Sequence, residues 1–340
     1  MTGGTAPRVA VIGAGLAGVS AARWLVQAGA NVAVLEKSAG VGGRMATRRR
    51  DGWNADHGVP AFAAHTAAFA AEVARWQATG WVAAHGTGWI GVPTMHAPVR
   101  GLAAGLALTT AITVRALQRS PAGWHLHAEA QAGPQVYGPF DALVLAIPLP
   151  QAQALLRTVP GTDRLLALLQ PGNAAIDPCW TLLVRHASPW MPPVPLAVVP
   201  PLAKVVPQAG RAGRADDAWV LHAQADWSRT HLEADPAWIT ASLLTAFASM
   251  GAPVPVATTV HRWRYAQGGL TVSPTDLWWP DLRLALCGDG LIPLAIPASS
   301  TSASAPAVSA GLAGVEAAWH SARAVLPALC AALALPVAID

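Results

Sequence analysis

Gly13, Gly15 and Gly18 fall in the run Gly13-Ala14-Gly15-Leu16-Ala17-Gly18, and an acid, Glu36, lies 18 residues further on. These residue types at this spacing suit one task, the holding of a dinucleotide. Gly13 permits a tight strand-to-helix turn. Gly15 lets the backbone approach a pyrophosphate, and Gly18 lets helix and strand pack closely. A helix opening here offers unpaired N–H groups and a partial positive charge to the phosphates. Glu36, followed by Lys37, is placed to accept from the adenosine ribose hydroxyls.

The surrounding pattern supplies the elements that would position these groups. An apolar run, Val9 to Ile12, opens directly into the glycines. A helical pattern covers Val19 to Ala28, Gly29 stops it, and a second apolar run from Val32 to Leu35 ends in Glu36. A doubly wound sheet whose glycines only make turns would explain everything but that acid.

Gly42-Gly43-Arg44, with Met45, comes just after the second strand. A nicotinamide dehydrogenase has no need of it. Here the chain resembles the amine oxidase superfamily of flavoproteins, whose FAD-binding domain carries Gly-Gly-Arg after the ribose acid. The resemblance sharpens to renalase-like proteins, the bacterial ones in particular. It is carried by VGGRMATRR (41–49), DHG (56–58), FDALVLAIPLPQA (140–152), PCWTLLV (178–184), WVLHAQADWSRTHLE (219–233), HRWRYA (261–266), CGDG (287–290) and GVEAAWHSA (314–322). These span nearly the whole chain.

That resemblance implies an α/β fold, with a Rossmann-type FAD-binding domain and a second, mixed-sheet substrate domain. It implies a non-covalent FAD that takes hydride from aberrant 2- or 6-dihydro isomers of NAD(P) and passes the electrons to O2, giving NAD(P)+ and hydrogen peroxide. Arg44 would supply charge beside the pyrophosphate, and Asp289 a hydrogen bond to a ribityl hydroxyl. Asp56, His57 and Gly58 would lie near the flavin ring, and Val114 would also contact the cofactor. Val315 and Glu316 would open a helix aimed at the flavin N1–C2 carbonyl, where negative charge develops on reduction. Two departures stand beside this site. Gly290 follows Asp289 where the family often has tryptophan, and Val315-Glu316-Ala317-Ala318 stands for the family's VEGA.

Candidates on the substrate side are fewer. His57 fits a general base, a substrate contact or a structural histidine. Hydride loss from a dihydronicotinamide releases no proton, so that chemistry needs no base. Trp180, Trp263 and Tyr265 are candidates to stack on a planar ring, though core tryptophan competes in a chain with 15 of them. Arg262 and Arg264 flank Trp263 and share a face on a strand, where they would hold a phosphate or pair with acids. Another FAD-dependent amine oxidase or desaturase of this fold, or a flavin-binding protein without turnover, remains the alternative.

Composition narrows the classes. The 340 residues suffice for two lobes. Only 12% are charged, the net charge is +4, and mean hydropathy is +0.37. No apolar stretch reaches 18 residues, so no spanning helix is predicted. The early first strand leaves no room for a signal peptide, which points to a cytoplasmic protein, monomer or homodimer, without a membrane partner. Arg48-Arg49-Arg50 is too short a basic run to argue for nucleic acid and reads as solvated or phosphate-facing. The three cysteines, Cys179, Cys287 and Cys330, lack metal or redox spacing. None suggests a tether to the flavin.

Along the chain, helices are predicted over 61–79, 99–108, 151–169, 236–250 and 314–326. Strands are predicted over 112–117, 124–128, 140–148, 178–185, 194–200 and 218–226, with strand and turn over 81–92. Residues 297–310 read as a flexible, low-complexity insertion. The FAD-binding domain is expected over 1–60, 96–150 and 270–340, and the substrate domain over 61–95 and 151–269.

Overall fold

A computed structural model describes residues 5–192, 196–294 and 314–337. The proposed insertion at 297–310 lies outside the described residues. A six-stranded sheet forms the first layer, in the order Trp278–Trp279, Leu284–Leu286, Ala142–Leu145, Arg8–Ile12, Asn31–Leu35 and Ala107–Thr109. All its neighbours run parallel except the Trp278–Trp279 edge. Central strands of such a sheet are covered on both faces, so they read as continuous apolar runs rather than alternating ones. Val9, Ala10 and Val11 accordingly have no exposure. Helix Leu16–Gln27 makes the crossover between the first two strands, and helix Val315–Ala332 packs against it with Trp24 edge-on to Trp319 at 5.7 Å.

A three-stranded antiparallel meander follows, from Thr113–Ser120, Gly123–Ala130 and Gly133–Phe140. The second large sheet has four strands, ordered Leu202–Pro207, Ala218–Ala223, Ile176–Arg185 and Ala257–Gly268. A mixed sheet is expected there, but every pair is antiparallel. Alternation gives this sheet two faces. Trp180, Leu182, Val184, Trp219 and Leu221 meet Ile239, Leu243 and Phe247 of helix Pro236–Ser249. Leu183 and Val220 face the other way, onto Trp53 and Ala55.

Several boundaries move. The helix expected over 61–79 begins at Ala67, because Thr66 caps it by accepting from the Phe69 N–H and Phe62 bridges to Trp89. The one expected over 151–169 splits into Leu149–Leu156 and Asp163–Ala174. Pro160 disfavours helix at Val159, and Gly161 takes φ +79°. The one expected over 99–108 ends at Ala103, since Gly105 turns the chain into an edge strand of the first sheet. Of the strand expected over 194–200, residues 194 and 195 lie outside the described residues and 196–200 are not in a strand; the nearest strand is Leu202–Pro207. The strand expected over 218–226 stops at Ala223, and Ala225–Thr230 is helical. The last helix runs past 326 to Ala332. Among the described residues, no helix is long and apolar enough to cross a membrane.

Candidate functional site

The glycine loop separates the roles that its spacing implies. Gly13 adopts φ +104°, and a Cβ there would lie 2.5 Å from the Ala146 carbonyl oxygen. A Cβ at Gly18 would lie 2.0 Å from the Gly13 carbonyl oxygen, so strand and helix approach as closely as they do only without one. Gly15 differs. Its backbone is extended (φ −74°, ψ 179°), and an added Cβ would meet nothing within 4 Å. The open space in front of it is what a pyrophosphate needs. Gly42 donates its N–H to the Ala14 carbonyl at 2.9 Å, and Gly43 packs over Gly15. The second glycine pair therefore roofs the first loop. Leu16 and Ala17 begin the buried face of the helix, and Met45 is buried beneath the turn.

Glu36 is buried and already engaged. Its carboxylate accepts from the Ala14 N–H at 2.7 Å and the Ser38 N–H at 2.8 Å. A carboxylate has about four lone-pair sites, so acceptor capacity remains for a ribose hydroxyl. The Ile112 N–H reaches the Glu36 carbonyl at 3.0 Å, which brings the start of the meander, two residues before Val114, to the same corner. Lys37 is exposed.

Arg44 and Asp289 meet in an ion pair. Burial pushes the Asp289 carboxyl up, and the Arg44 guanidinium opposes this without cancelling it. They line a narrow cavity of about 10 Å³ with Tyr265, Cys287, Gly288 and Gly290. That is room for a single water. The close approach beside Gly290 requires glycine at 269, whereas a Cβ at Gly290 itself would meet only ordinary contacts, the nearest being Leu149 at 3.4 Å. The Gly290 backbone lies against Gly269, where a Cβ would be 2.5 Å from the Gly290 Cα, and its carbonyl accepts from the Leu270 N–H. The Gly288 N–H donates to Ser321 on the last helix at 2.8 Å, and Gly314, at that helix's start, has no side chain to cap it.

Asp56 is wholly buried, but it is not free for a cofactor. Oδ2 accepts from Arg214 Nε at 2.8 Å and Nη2 at 2.6 Å, and Oδ1 from Thr47 Oγ1 at 2.5 Å. Arg214 spends its remaining donors on the carbonyls of Gly91, Pro93 and Ala212. Glu316 is likewise diverted. It accepts from the N–H groups of His65 and Thr66 and from the Thr66 hydroxyl, satisfying the start of helix Ala67–Ala78. Burial pushes its carboxyl up, but hydrogen bonds from His320, Thr66 and His65 outweigh this and hold it below the usual range. Both residues, expected at the cofactor, tie segments together instead. Val315 is buried in the main core.

His57 and Trp263 do come together. Trp263 donates its indole N–H to the His57 carbonyl at 3.0 Å, with ring centroids 4.8 Å apart. Gly58 lets this happen, because a Cβ there would lie 2.0 Å from the Arg44 carbonyl oxygen and 3.4 Å from the Trp263 ring. His261 completes the group, 4.3 Å from Trp263 and 4.9 Å from His57. Burial pushes His57 down to about 3, helped by neighbouring His261 and Arg48. Burial likewise holds His222 and His261 down at about 4. All three imidazoles are neutral near pH 7.

Strand parity corrects the other candidates. Trp180 pairs with Arg262 across the sheet, whereas Cys179 pairs with Trp263. Trp180 therefore packs in the far core, with its indole N–H on the His231 carbonyl and Arg262 stacked over its ring at 5.4 Å. Arg264 follows Arg262 onto that face, and Glu233 receives both. Of the expected substrate residues, only His57, Trp263 and Tyr265 lie on the Arg44 side. His222, His261 and Arg214 are the residues missed. Only His261, which alternates with Trp263 and Tyr265 in HRWRYA, carried a sequence signal. Among the described residues, no three His, Cys, Asp or Glu side chains converge to hold a metal.

Residues 11–74 match the family of NAD(P)-binding Rossmann-like domains. Over 51 residues, 15% of this chain, the sequence is 51% identical to an L-amino-acid oxidase of Sistrurus catenatus edwardsii. It is 53% identical over the same length to L-amino-acid oxidase apoxin-1 of Crotalus atrox. Each match spans 10% of the relative's length. The whole chain resembles in fold the crystal structure of a protein assigned as a protoporphyrinogen oxidase from Exiguobacterium sp. 255-15. That likeness has a TM-score of 0.66 and 13% identity, over 94% of this chain and 98% of the other. The chain thus has a Rossmann-like dinucleotide-binding domain set in an α/β fold that it shares with that structure.

Proposed function

We propose that this chain is an FAD-dependent oxidase of dihydronicotinamide nucleotides carrying hydride at ring position 2 or 6, giving NAD(P)+ and hydrogen peroxide. The residues present fit the cofactor at the Gly15 opening, at Glu36 and at the Arg44–Asp289 pair. Bound there, FAD would accept the hydride and hand two electrons to O2. In this reading the segments 1–60, 96–150 and 270–340 serve the cofactor, and 61–95 and 151–269 the substrate.

One observation supports the substrate class above others. The titratable rings beside Trp263 are held neutral by burial, His57 at about 3 and His261 at about 4. Such imidazoles are too weakly basic to hold a proton near pH 7. A substrate that becomes aromatic by losing hydride alone asks for no base. Its ring needs a flat partner, which Trp263 can supply. The chain's tasks are then to bind, orient and exclude water.

The local likeness to L-amino-acid oxidases favours a second reading, oxidation of an amine. Anaerobic mixing separates the two. Bleaching of the bound flavin by 6-dihydro-NAD, with none by a panel of amino acids and simple amines, is the expected result. The reverse pattern replaces the first reading with the second.

A further inference from the structure

The cations near the site divide by whether a carboxylate answers them. Arg44 has Asp289, Arg214 has Asp56, and Arg262 and Arg264 share Glu233. Arg48 is half-buried on strand Arg48–Arg50 and has no carboxylate partner among the described residues. Register sets it opposite Ala55, two residues before His57. Its charge bears on the rings of both His57 and His261.

The same face continues across the second sheet. Thr181 lies opposite His222 on one side and His261 on the other, so the three form a row. Lys204 lies opposite His222 on the next strand, and it too has no carboxylate partner among the described residues. His57 Nδ1 and His222 Nε2 are buried, at residues 4% and 9% exposed, and neither has a hydrogen-bond partner. Leaving such atoms unpaired costs roughly 1–3 kcal/mol each, a cost that a polar guest on this face would offset. No carboxylate bears on any of the three rings.

We propose that the face formed by Arg48, His57, His222 and His261 is an anion subsite, with Arg48 as its charged anchor, and that it takes the phosphate of the nucleotide substrate. The naming of a nucleotide phosphate rests on the proposed function; the presence of an anion subsite does not. A guanidinium presents a fork of donors that matches phosphate or carboxylate oxygens. A neutral imidazole adds one N–H donor without a competing charge. This reassigns the phosphate contact from Arg262 and Arg264, whose charge Glu233 already meets on the opposite face. An amino-acid carboxylate would be held by the same chemistry, so the test includes both anions.

The purified holoprotein is titrated calorimetrically with inorganic phosphate and with acetate at matched ionic strength. Saturable phosphate binding is expected, weakened roughly tenfold or more by Arg48→Ala and partly restored by Arg48→Lys. Absence of saturable phosphate binding, or equal affinity in Arg48→Ala, overturns the subsite. Acetate binding in preference to phosphate overturns the phosphate assignment. In a second arm, anaerobic bleaching compares 6-dihydronicotinamide mononucleotide with the riboside that lacks phosphate. Arg48→Ala should raise the dissociation constant roughly tenfold for the mononucleotide and less than about twofold for the riboside. Equal losses for both overturn the anchoring role. Failure of both compounds and of 6-dihydro-NAD to bleach the wild-type flavin refutes the proposed function, while the anion subsite still stands or falls by the phosphate titration.

Discussion

Gly15→Val separates the cofactor from the fold. The residue sits in extended backbone, which any L-residue adopts, and its missing Cβ points into open space. The substitution should therefore change the stability of the cofactor-free protein by less than about 1 kcal/mol. It fills the approach that a pyrophosphate requires, so flavin binding should be lost. Cofactor at a thousandfold excess over Kd stabilises a folded chain by about 4.1 kcal/mol. At about 2 °C per kcal/mol this is a shift of roughly 8 °C in Tm. Wild-type protein should show that difference between its flavin-loaded and flavin-stripped forms, and Gly15→Val should show none. Gly18→Ala is the contrast. Its Cβ would lie 2.0 Å from the Gly13 carbonyl oxygen, so it should destabilise the stripped protein itself. Thermal scans of stripped and reconstituted protein, with flavin absorbance after gel filtration, decide the matter. A Gly15→Val protein with full flavin content would show that this loop is not the phosphate cradle.

Arg214→Met leaves the Asp56 carboxylate buried without its partner, and should cost about 3–5 kcal/mol in urea unfolding; a loss under 1 kcal/mol would mean that the pair contributes no more than a surface one. Burial depresses His57 and His222 to about 3 and about 4 from 6.5, so between those values and 6.5 the unfolded chain binds more protons than the folded one. Stability should be fully present above about pH 6.5 and fall as pH drops towards 4, by up to about 1.4 kcal/mol per pH unit per proton, and a flat urea midpoint between pH 7 and 5 would contradict this. Glu316→Gln should lower Tm by removing the charged acceptor for Thr66 and His65 while leaving flavin content unchanged, since that side chain faces helix Ala67–Ala78. Acid precipitation should release all the flavin: Cys287, the cysteine beside Asp289, is fully buried with its thiol pushed up to about 12, far from a reactive thiolate.

The sequence by itself determined the dinucleotide-binding crossover. Apolar runs, glycine spacing and the terminal acid are local patterns, and the physics they report acts over a few residues or one turn. The same holds for the first two strands of the meander, while the third, Gly133–Phe140, carries no alternating pattern, and for helix Pro236–Ser249, whose proline and capping Asp235 mark its start. Tertiary structure alone decided which charged groups meet. Asp56 finds Arg214 across 158 residues, and nothing in either local pattern names the other. Glu316 reaches Thr66 across 250 residues and so leaves the cofactor end of its own helix. Trp180 and Trp263 look alike in composition and context, yet the register between strands Ile176–Arg185 and Ala257–Gly268 sends them to opposite faces. A shift of one residue would bring both to the same face, because side chains alternate with period two. Which arginines face the site and which are neutralised by Glu233 follows from that same register, and it is set by the packing of the whole sheet.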